Sequence, residues 1–180
     1  MYDIIVIGAG VVGCAVAREA SKYKLNVLVI DKENDVGNVT SMANSAIVHS
    51  GYDPKPGSKK AFHNVRGNSM YEDLCKDLDV EFERIGSLTC ATNEEEKQVI
   101  ENYLSRSKEN GVEVKLLTRE ETKEIEPFIS ENVIASLYAP TAGIINPFEL
   151  TIALMENAVD NGAQLKLNEE VINIIKETDL

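Results

Sequence analysis

Short apolar runs and amphipathic stretches alternate along the first part of the chain. Residues 3–7 (DIIVI) are almost wholly apolar, the pattern of a strand buried on both faces. Residues 11–22 follow with helical character, and residues 26–30 (NVLVI) repeat the buried-strand pattern. With a glycine turn between strand and helix, this order is a βαβ unit, whose crossover is almost always right-handed. The texture then changes. Residues 35–58 are rich in Gly, Ser, Asn and Pro, with one apolar island at 46–48; so long a connection inside a compact domain is usually functional or disordered. Residues 59–78 carry Phe62, Val65, Met70, Leu74 and Leu78 at mostly helical intervals, with Ser58 placed to cap them.

Beyond this helix, residues 81–84 and 87–92 predict a strand pair turning near Gly86. Asn93 opens a helix whose Glu94, Glu95 and Glu96 suit the positive end of its dipole. Its buried face is expected to use Val99, Ile100, Tyr103 and Leu104, and Gly111 ends it. Strands are expected at 112–117 and 133–138, with a short helix at 119–125 stopped by Pro127. Asn146, Pro147 and Glu149 supply a cap, an N1 proline and an N3 acid for a helix running to about Asn161 and closed by Gly162. Residues 164–167 and 171–176 predict two last strands. The chain is therefore α/β: a βαβ unit, a polar loop with a helix, a strand-rich insertion near 80–145, and a return to βα-type units.

Composition narrows the function. The 180 residues allow one domain and the start of a second. The net charge of −12, from 18 basic against 30 acidic residues, repels a phosphate backbone and disfavours nucleic acid. It does not forbid an anionic small substrate, because a local Arg or Lys can dominate a pocket. Cys14, Cys75 and Cys90 form no CxxC pair, so no metal site is expected, and three buried thiols in a reducing compartment are. No basic stretch precedes a long apolar run, and no segment reaches the ~20 apolar residues of a membrane span. Neither a signal peptide nor a transmembrane segment is expected; the location is read as cytoplasmic, with peripheral membrane association left open.

Gly8-Ala9-Gly10-Val11-Val12-Gly13 is a G-x-G-x-x-G between strand and helix. In such a motif the first glycine permits the tight turn, the second lets the backbone approach a pyrophosphate, and the third lets the helix pack close to the sheet. The helix N-terminus then offers N–H groups and a positive dipole end to the phosphates. Asp31 ends the second strand, close to the expected spacing of about 20 residues for an acid that holds a ribose. A carboxylate there repels a 2′-phosphate, so NADP is not expected. The motif does not separate NAD from FAD. The hydroxyls and amides of Thr40-Ser41-Met42-Ala43-Asn44-Ser45 could bind a diphosphate or ribityl chain, or belong to a solvated loop.

The fingerprint, the block TSMANSAIVHSGYDPKPGSKKA (40–61) and RIGSLTCATNEEE (84–96) together resemble FAD-dependent oxidoreductases of the D-amino-acid-oxidase-like superfamily. Within it the chain is most similar to bacterial FAD-dependent glycerol-3-phosphate dehydrogenases; 2-hydroxyglutarate oxidases and dehydrogenases share the N-S-x-x-x-H-x-G block. YAPTAGIINP (138–147) and NGAQLKLNEEV (161–171) are also typical. The resemblance implies a Rossmann-like FAD/NAD(P)-binding domain with a strand-rich substrate-domain insertion, truncated: 1–79 the first part of the FAD domain, 80–145 the start of the substrate domain, 146–180 a return to the FAD domain. It implies that Gly8, Gly10 and Gly13 cradle the FAD pyrophosphate and Asp31 the adenosine ribose, with Val12 and Lys32 joining the cofactor-binding set. Ser41, Asn44 and Ser45 would line the diphosphate and ribityl region, and His49, Ser50 and Gly51 would approach the isoalloxazine ring. Val171 would pair its backbone with adenine. Relatives are longer, so the chain is expected to be a fragment that binds FAD weakly, is inactive alone, and self-associates through unpaired sheet edges.

The implied reaction oxidises a secondary alcohol, sn-glycerol 3-phosphate to dihydroxyacetone phosphate, by hydride transfer to flavin N5. His49 is the one plausible base among the matched residues, the alternative being a structural hydrogen bond. His63 is expected at the surface or in packing. Lys55, Lys59 and Lys60 either attract an anionic substrate or form a solvated helix start, and Tyr52 either walls the site or packs. The electron acceptor (a quinone, an iron–sulfur protein or oxygen) is left open. Two other readings stand beside this one: a 2-hydroxyacid dehydrogenase or oxidase, and a non-catalytic nucleotide-binding module.

Overall fold

The computed structural model describes residues 1–176. They divide into two compact units, each considered by itself. One comprises Met1–Ala46, Cys75–Glu81 and the chain from Asn146 onward; the other comprises Ile47–Leu74 and Phe82–Ile145. The division groups 47–74 with the insertion, because a short strand there pairs within it.

The first unit is a three-stranded parallel sheet. Strand β1 (Ile4–Ile7) pairs with β2 (Val27–Ile30), and β2 pairs in turn with a late strand at Gln164–Lys166. Helix α1 (Val11–Ser21) makes the βαβ crossover. It packs against a helix at Pro147–Asp160, both using small side chains, with Ala17 and Ala158 fully buried beside Leu154 and Met155. Arg18 is buried with them, its guanidinium donating to Asn157 Oδ1 at 3.2 Å. Central β2 is buried as expected. Edge strand β1 is not buried on both faces: Ile5 and Ile7, on the same face, are 54% and 56% exposed.

The second unit holds two small antiparallel sheets. In one, β3 (Ile47–Val48) and β4 (Phe82–Glu83) flank a strand at Gly143–Ile145. In the other, β5 (Ser87–Ala91) and β6 (Lys115–Thr118) flank β7 (Ala135–Ala139). In chain order, the Gly143–Ile145 strand is β8 and the Gln164–Lys166 strand β9. Helix α2 (Lys59–Leu78) has the expected bounds, with Ser58 Oγ accepting from Ala61 N–H at 3.2 Å. Helix α3 (Glu94–Asn110) starts on Asn93, whose side chain accepts from Glu96 N–H, and ends on left-handed Gly111. It packs Ile100 with Ala91, Ala135 and Leu137, and Tyr52, Tyr103 and Leu104 lean on that cluster. Val99, expected in this face, is exposed instead. Helix α4 (Arg119–Ile125) carries a full capping box from Thr118 and Glu121, and α5 is the helix at Pro147–Asp160, capped by Asn146.

Three further expectations are corrected. The segments around Gly86 are not a hairpin: β4 pairs with β8 and β5 with β7, and Gly86 N–H donates to the Ala142 carbonyl at 3.0 Å, so the chain parts at the glycine. Residues 171–176 form no strand; Ile172, Ile174 and Ile175 are exposed, with no strand pairing to them among the described residues. Cys14 and Cys75 are buried, but Cys90 only partly so.

Candidate functional site

The glycine turn leaves β1 with Gly8 at φ +103°, a conformation L side chains rarely adopt, and Gly8 N–H donates to the Ile30 carbonyl at 2.8 Å. A Cβ on Gly13 would lie 1.9 Å from the Gly8 carbonyl oxygen, so helix and strand approach as closely as only glycine permits. At Gly10 the same construction meets only Ser41 Oγ, at 3.3 Å. Ser41 Oγ in turn accepts from Val11 N–H at 2.9 Å, which leaves its own proton free to donate. The first turn of α1 carries no acidic residue of its own. Val12, on that turn, is 74% exposed.

Asp31 turns back onto the glycine loop. Its Oδ2 accepts from Ala9 N–H at 2.5 Å and its Oδ1 from Glu33 N–H at 2.9 Å. Its main chain is anchored to the neighbouring strand, with N–H donating to the Lys166 carbonyl at 2.9 Å. A cavity of about 290 Å³ opens here, lined by Gly8, Asp31, Lys32 and Val171, four of the predicted cofactor residues. Glu33, Val39, Glu169 and Glu170 line it too and were missed by sequence reasoning, although Glu169 and Glu170 directly precede Val171. Asn44 shapes the polar loop: its Nδ2 donates to the Ser41 carbonyl and its Oδ1 accepts from Ala46 N–H, both at 2.8 Å. Ser45 is exposed. Buried Cys14, beside this loop, donates from Sγ to the Ala9 carbonyl, and burial first, then the charge of Asp31, push its thiol up to about 11.

In the second unit, His49 follows β3 with an exposed side chain. Ser50 is 3% exposed, and its Oγ has no hydrogen-bond partner among the described residues. Gly51 sits at φ +95° against α2, where a Cβ would meet Val65 Cγ2 at 2.7 Å. A cavity of about 240 Å³ is lined by His49 together with His63, Asn64, Gly67, Asn68 and Tyr71 of α2. His63, expected merely to pack or to face solvent, thus shares a cavity with His49 while stacking edge-on against Phe62. Tyr52 packs: its hydroxyl bonds Thr89 Oγ1 at 2.6 Å and its ring leans on Tyr103. Lys60 pairs with Asp53 at 3.7 Å. A larger groove of about 600 Å³, between Lys97, Leu116, Arg119 and Ile134, contains none of the predicted site residues. Among the described residues no cluster of metal-ligating side chains occurs, and no helix is long and apolar enough to cross a membrane.

Comparison with known proteins matches the chain to one family. The sequence profile of the FAD dependent oxidoreductases (DAO) fits residues 3–179. The chain is 51% identical over 178 residues to a glycerol 3-phosphate dehydrogenase of Caloramator mitchellensis, covering 98% of this chain and 37% of that protein. It is 34% identical to a mitochondrial L-2-hydroxyglutarate dehydrogenase of Dictyostelium discoideum, covering 93% of this chain and 40% of that protein. The dithionite-reduced L-alpha-glycerophosphate oxidase of Mycoplasma pneumoniae, solved with FAD bound, superposes with a TM-score of 0.92 at 31% identity, covering 98% of this chain and 47% of that one. The chain therefore spans less than half the length of the relatives it matches.

Proposed function

The chain belongs to the FAD dependent oxidoreductase family, and from that premise we propose that its first unit holds FAD for the oxidation of a small anionic secondary alcohol, sn-glycerol 3-phosphate. The observation that carries the cofactor reading is the Asp31 carboxylate bonded to the Ala9 amide, beside a helix N-terminus without an acid of its own. Residues and cofactor fit. Gly8, Gly10, Val12 and Gly13 would receive the diphosphate, and Ser41 would donate its hydroxyl to it. Asp31 and Lys32 would hold the adenosine ribose, with Val171 beside the adenine. Asn44 and Ser45 would extend that set along the polar loop, and the family resemblance adds Ser50 and Gly51 of the second unit. In this reading the first unit is the FAD-binding part and the second begins the substrate domain.

Bound flavin supplies a hydride acceptor that no amino-acid side chain offers. The part of His49 is to take the substrate hydroxyl proton on an imidazole nitrogen, which a neutral imidazole does near pH 7. The support for glycerol 3-phosphate is the likeness to the Caloramator dehydrogenase. A second reading, a 2-hydroxyacid substrate, is favoured by the likeness to L-2-hydroxyglutarate dehydrogenase. In either reading the protein works in the cytoplasm or at a membrane surface and passes its electrons to a quinone, an iron–sulfur protein or oxygen.

The test is anaerobic. Because the chain alone is expected to be inactive, a protein of the relatives' full length is loaded with FAD and mixed with glycerol 3-phosphate or 2-hydroxyglutarate while the flavin absorbance is followed. Bleaching by glycerol 3-phosphate is expected. Bleaching by 2-hydroxyglutarate alone would move the assignment to the second reading. Loss of FAD affinity in Asp31→Ala is the expected outcome of a titration that needs no turnover.

A further inference from the structure

We propose that Asn68, gripped by Arg84, is the positioning residue for His49; this rests on the reading of His49 as the base. Asn68 lies on α2 and is 7% exposed. Its Nδ2 donates to the His49 carbonyl at 3.1 Å and to the Thr141 carbonyl at 2.8 Å. Its Oδ1 accepts from Arg84 Nη1 and its main-chain carbonyl from Arg84 Nη2, both at 3.1 Å. Arg84 Nη1 also donates to the Thr141 carbonyl at 2.5 Å. Its Nε pairs with Glu72, and its guanidinium lies over the Phe82 ring, 5.2 Å from the centroid.

This amide has only one workable orientation. Turned over, it would set its oxygen against two carbonyl oxygens and its NH₂ against a guanidinium, which has no acceptor. Three segments far apart in sequence therefore meet on one side chain: the end of β3, the β7–β8 turn and the middle of α2. The exposed His49 ring has little packing of its own to hold it, so the direction of its Cα–Cβ bond depends on the backbone. On one side that backbone is held by the two-residue pairing of β3 with β8. On the other, the Gly51 carbonyl accepts from Asn110 Nδ2 at 3.0 Å. Between them, Asn68 holds the carbonyl of His49 itself. The RIGSL and YAPTAGIINP blocks, which carried a resemblance but no role, deliver Arg84 and Thr141 to this clamp.

The experiment uses Asn68→Asp, which keeps an acceptor for Arg84 but faces two carbonyls with no donor. His49 and His63 are the only two histidines, so ring cross-peaks in an NMR spectrum of the FAD-loaded chain report both, His63 serving as internal reference. The His49 peaks are expected to move or broaden more than those of His63, which lines the same cavity. In turnover assays on a protein of the relatives' full length, kcat should fall about ten- to a hundred-fold, the scale for a misplaced catalytic group, with KM little changed. Glu72→Gln, which removes only the exposed ion pair, should move neither. Unmoved His49 peaks or an unchanged kcat in Asn68→Asp would overturn the proposal. If that variant does not fold, Arg84→Lys, which cannot grip both oxygens of Asn68, must displace the same His49 signals or the proposal falls. Full turnover in His49→Asn would sink the base reading alone, since the NMR shift does not depend on it.

Discussion

Replacing Gly13 by alanine should cost more stability than any other change in the glycine turn. On this backbone the new Cβ would stand 1.9 Å from the Gly8 carbonyl oxygen, 3.1 Å from its carbon and 3.3 Å from Val6 Cγ1. The first distance is roughly 1.5 Å short of ordinary contact. The obstacle is main chain, so no rotamer relieves it and α1 must lift off β1, dragging the helix packing of Cys14, Ala17 and Ala20 with it. Overpacking in cores costs typically about 1–3 kcal/mol; a rigid backbone clash belongs in the tail above that, near ~4 kcal/mol. Alanine's better helix propensity returns at most ~1 kcal/mol. With a urea dependence of about 2 kcal/mol per M, a net 3 kcal/mol lowers the unfolding midpoint by about 1.5 M. Gly10→Ala is the contrast. Its φ of −74° suits any residue, and its Cβ meets only a hydroxyl that can rotate, so the fold should lose less than ~1 kcal/mol. If the proposed cofactor site is right, the added methyl stands where the diphosphate would approach, and FAD affinity should fall about ten-fold or more, ~1.4 kcal/mol. Urea unfolding followed by circular dichroism and calorimetric FAD titration read the two effects separately. A Gly13→Ala midpoint within about 0.3 M of the parent, or a Gly10→Ala variant as destabilised as Gly13→Ala, would refute the division of labour.

Thr122 and Ser136 are both fully buried and share a hydroxyl–hydroxyl bond of 2.6 Å; Thr122→Val strands the Ser136 hydroxyl and should cost about 1–3 kcal/mol, part of which Thr122→Val with Ser136→Ala recovers. A double variant no more stable than the single one would contradict this. The Cys14 thiol, held at about 11 against an ordinary 9.0, should resist a disulfide reagent at pH 8 in the native protein and react once urea unfolds it. Because its folded value is raised, the stability it contributes is complete below pH 9.0 and is lost as pH rises toward 11; equal native and unfolded modification rates would disprove the burial argument. Glu96 and Glu121 lie below their usual range because the amide and hydroxyl of Thr92 and Thr118 hold them ionised. Their contribution is present above pH 4.5 and drains as pH falls through the lowered values. Glu96→Gln with Glu121→Gln should therefore flatten the acid limb of the stability curve, and an unchanged limb would count against the caps.

What the sequence announced and what it hid differ by the range of the forces involved. Helix α2 was legible end to end because periodicity and the Ser58 cap are local. The glycine turn was legible because its steric needs are written in missing side chains. Strands β3 and β8 were not read as strands, since two or three residues carry no period of their own and these pair across more than ninety residues. The misread hairpin at Gly86 has the same origin: two strands adjacent in sequence look like partners, and only the distant β7 and β8 outcompete that pairing. Glu169 and Glu170 were not singled out, and Asn68 carried no signal, because a polar residue on an amphipathic helix is expected to face water. Its burial is decided by Thr141, more than seventy residues away. Interior polar contacts of this kind are satisfied in three dimensions and leave no trace in one.

Asp31 shows why the candidate cofactor site was nonetheless the part most open to sequence reasoning. Its two oxygens already serve the fold, one accepting from Ala9 and the other from Glu33. A carboxylate offers about four acceptor positions, so each oxygen keeps one to offer a ribose hydroxyl. The acid that ties the end of β2 to the glycine loop is thereby fixed in place before any ligand arrives. Folding has already ordered the side chain, so binding need not, and a preorganised contact holds more of its strength. With Glu33, Glu169 and Glu170 around the same cavity, the lining presents acceptors to hydroxyls and repels a further phosphate. In the proposed reading a carboxylate at that spacing serves twice, once the turn and once the sugar, and a residue constrained twice is one that chemistry alone can pick out of a chain.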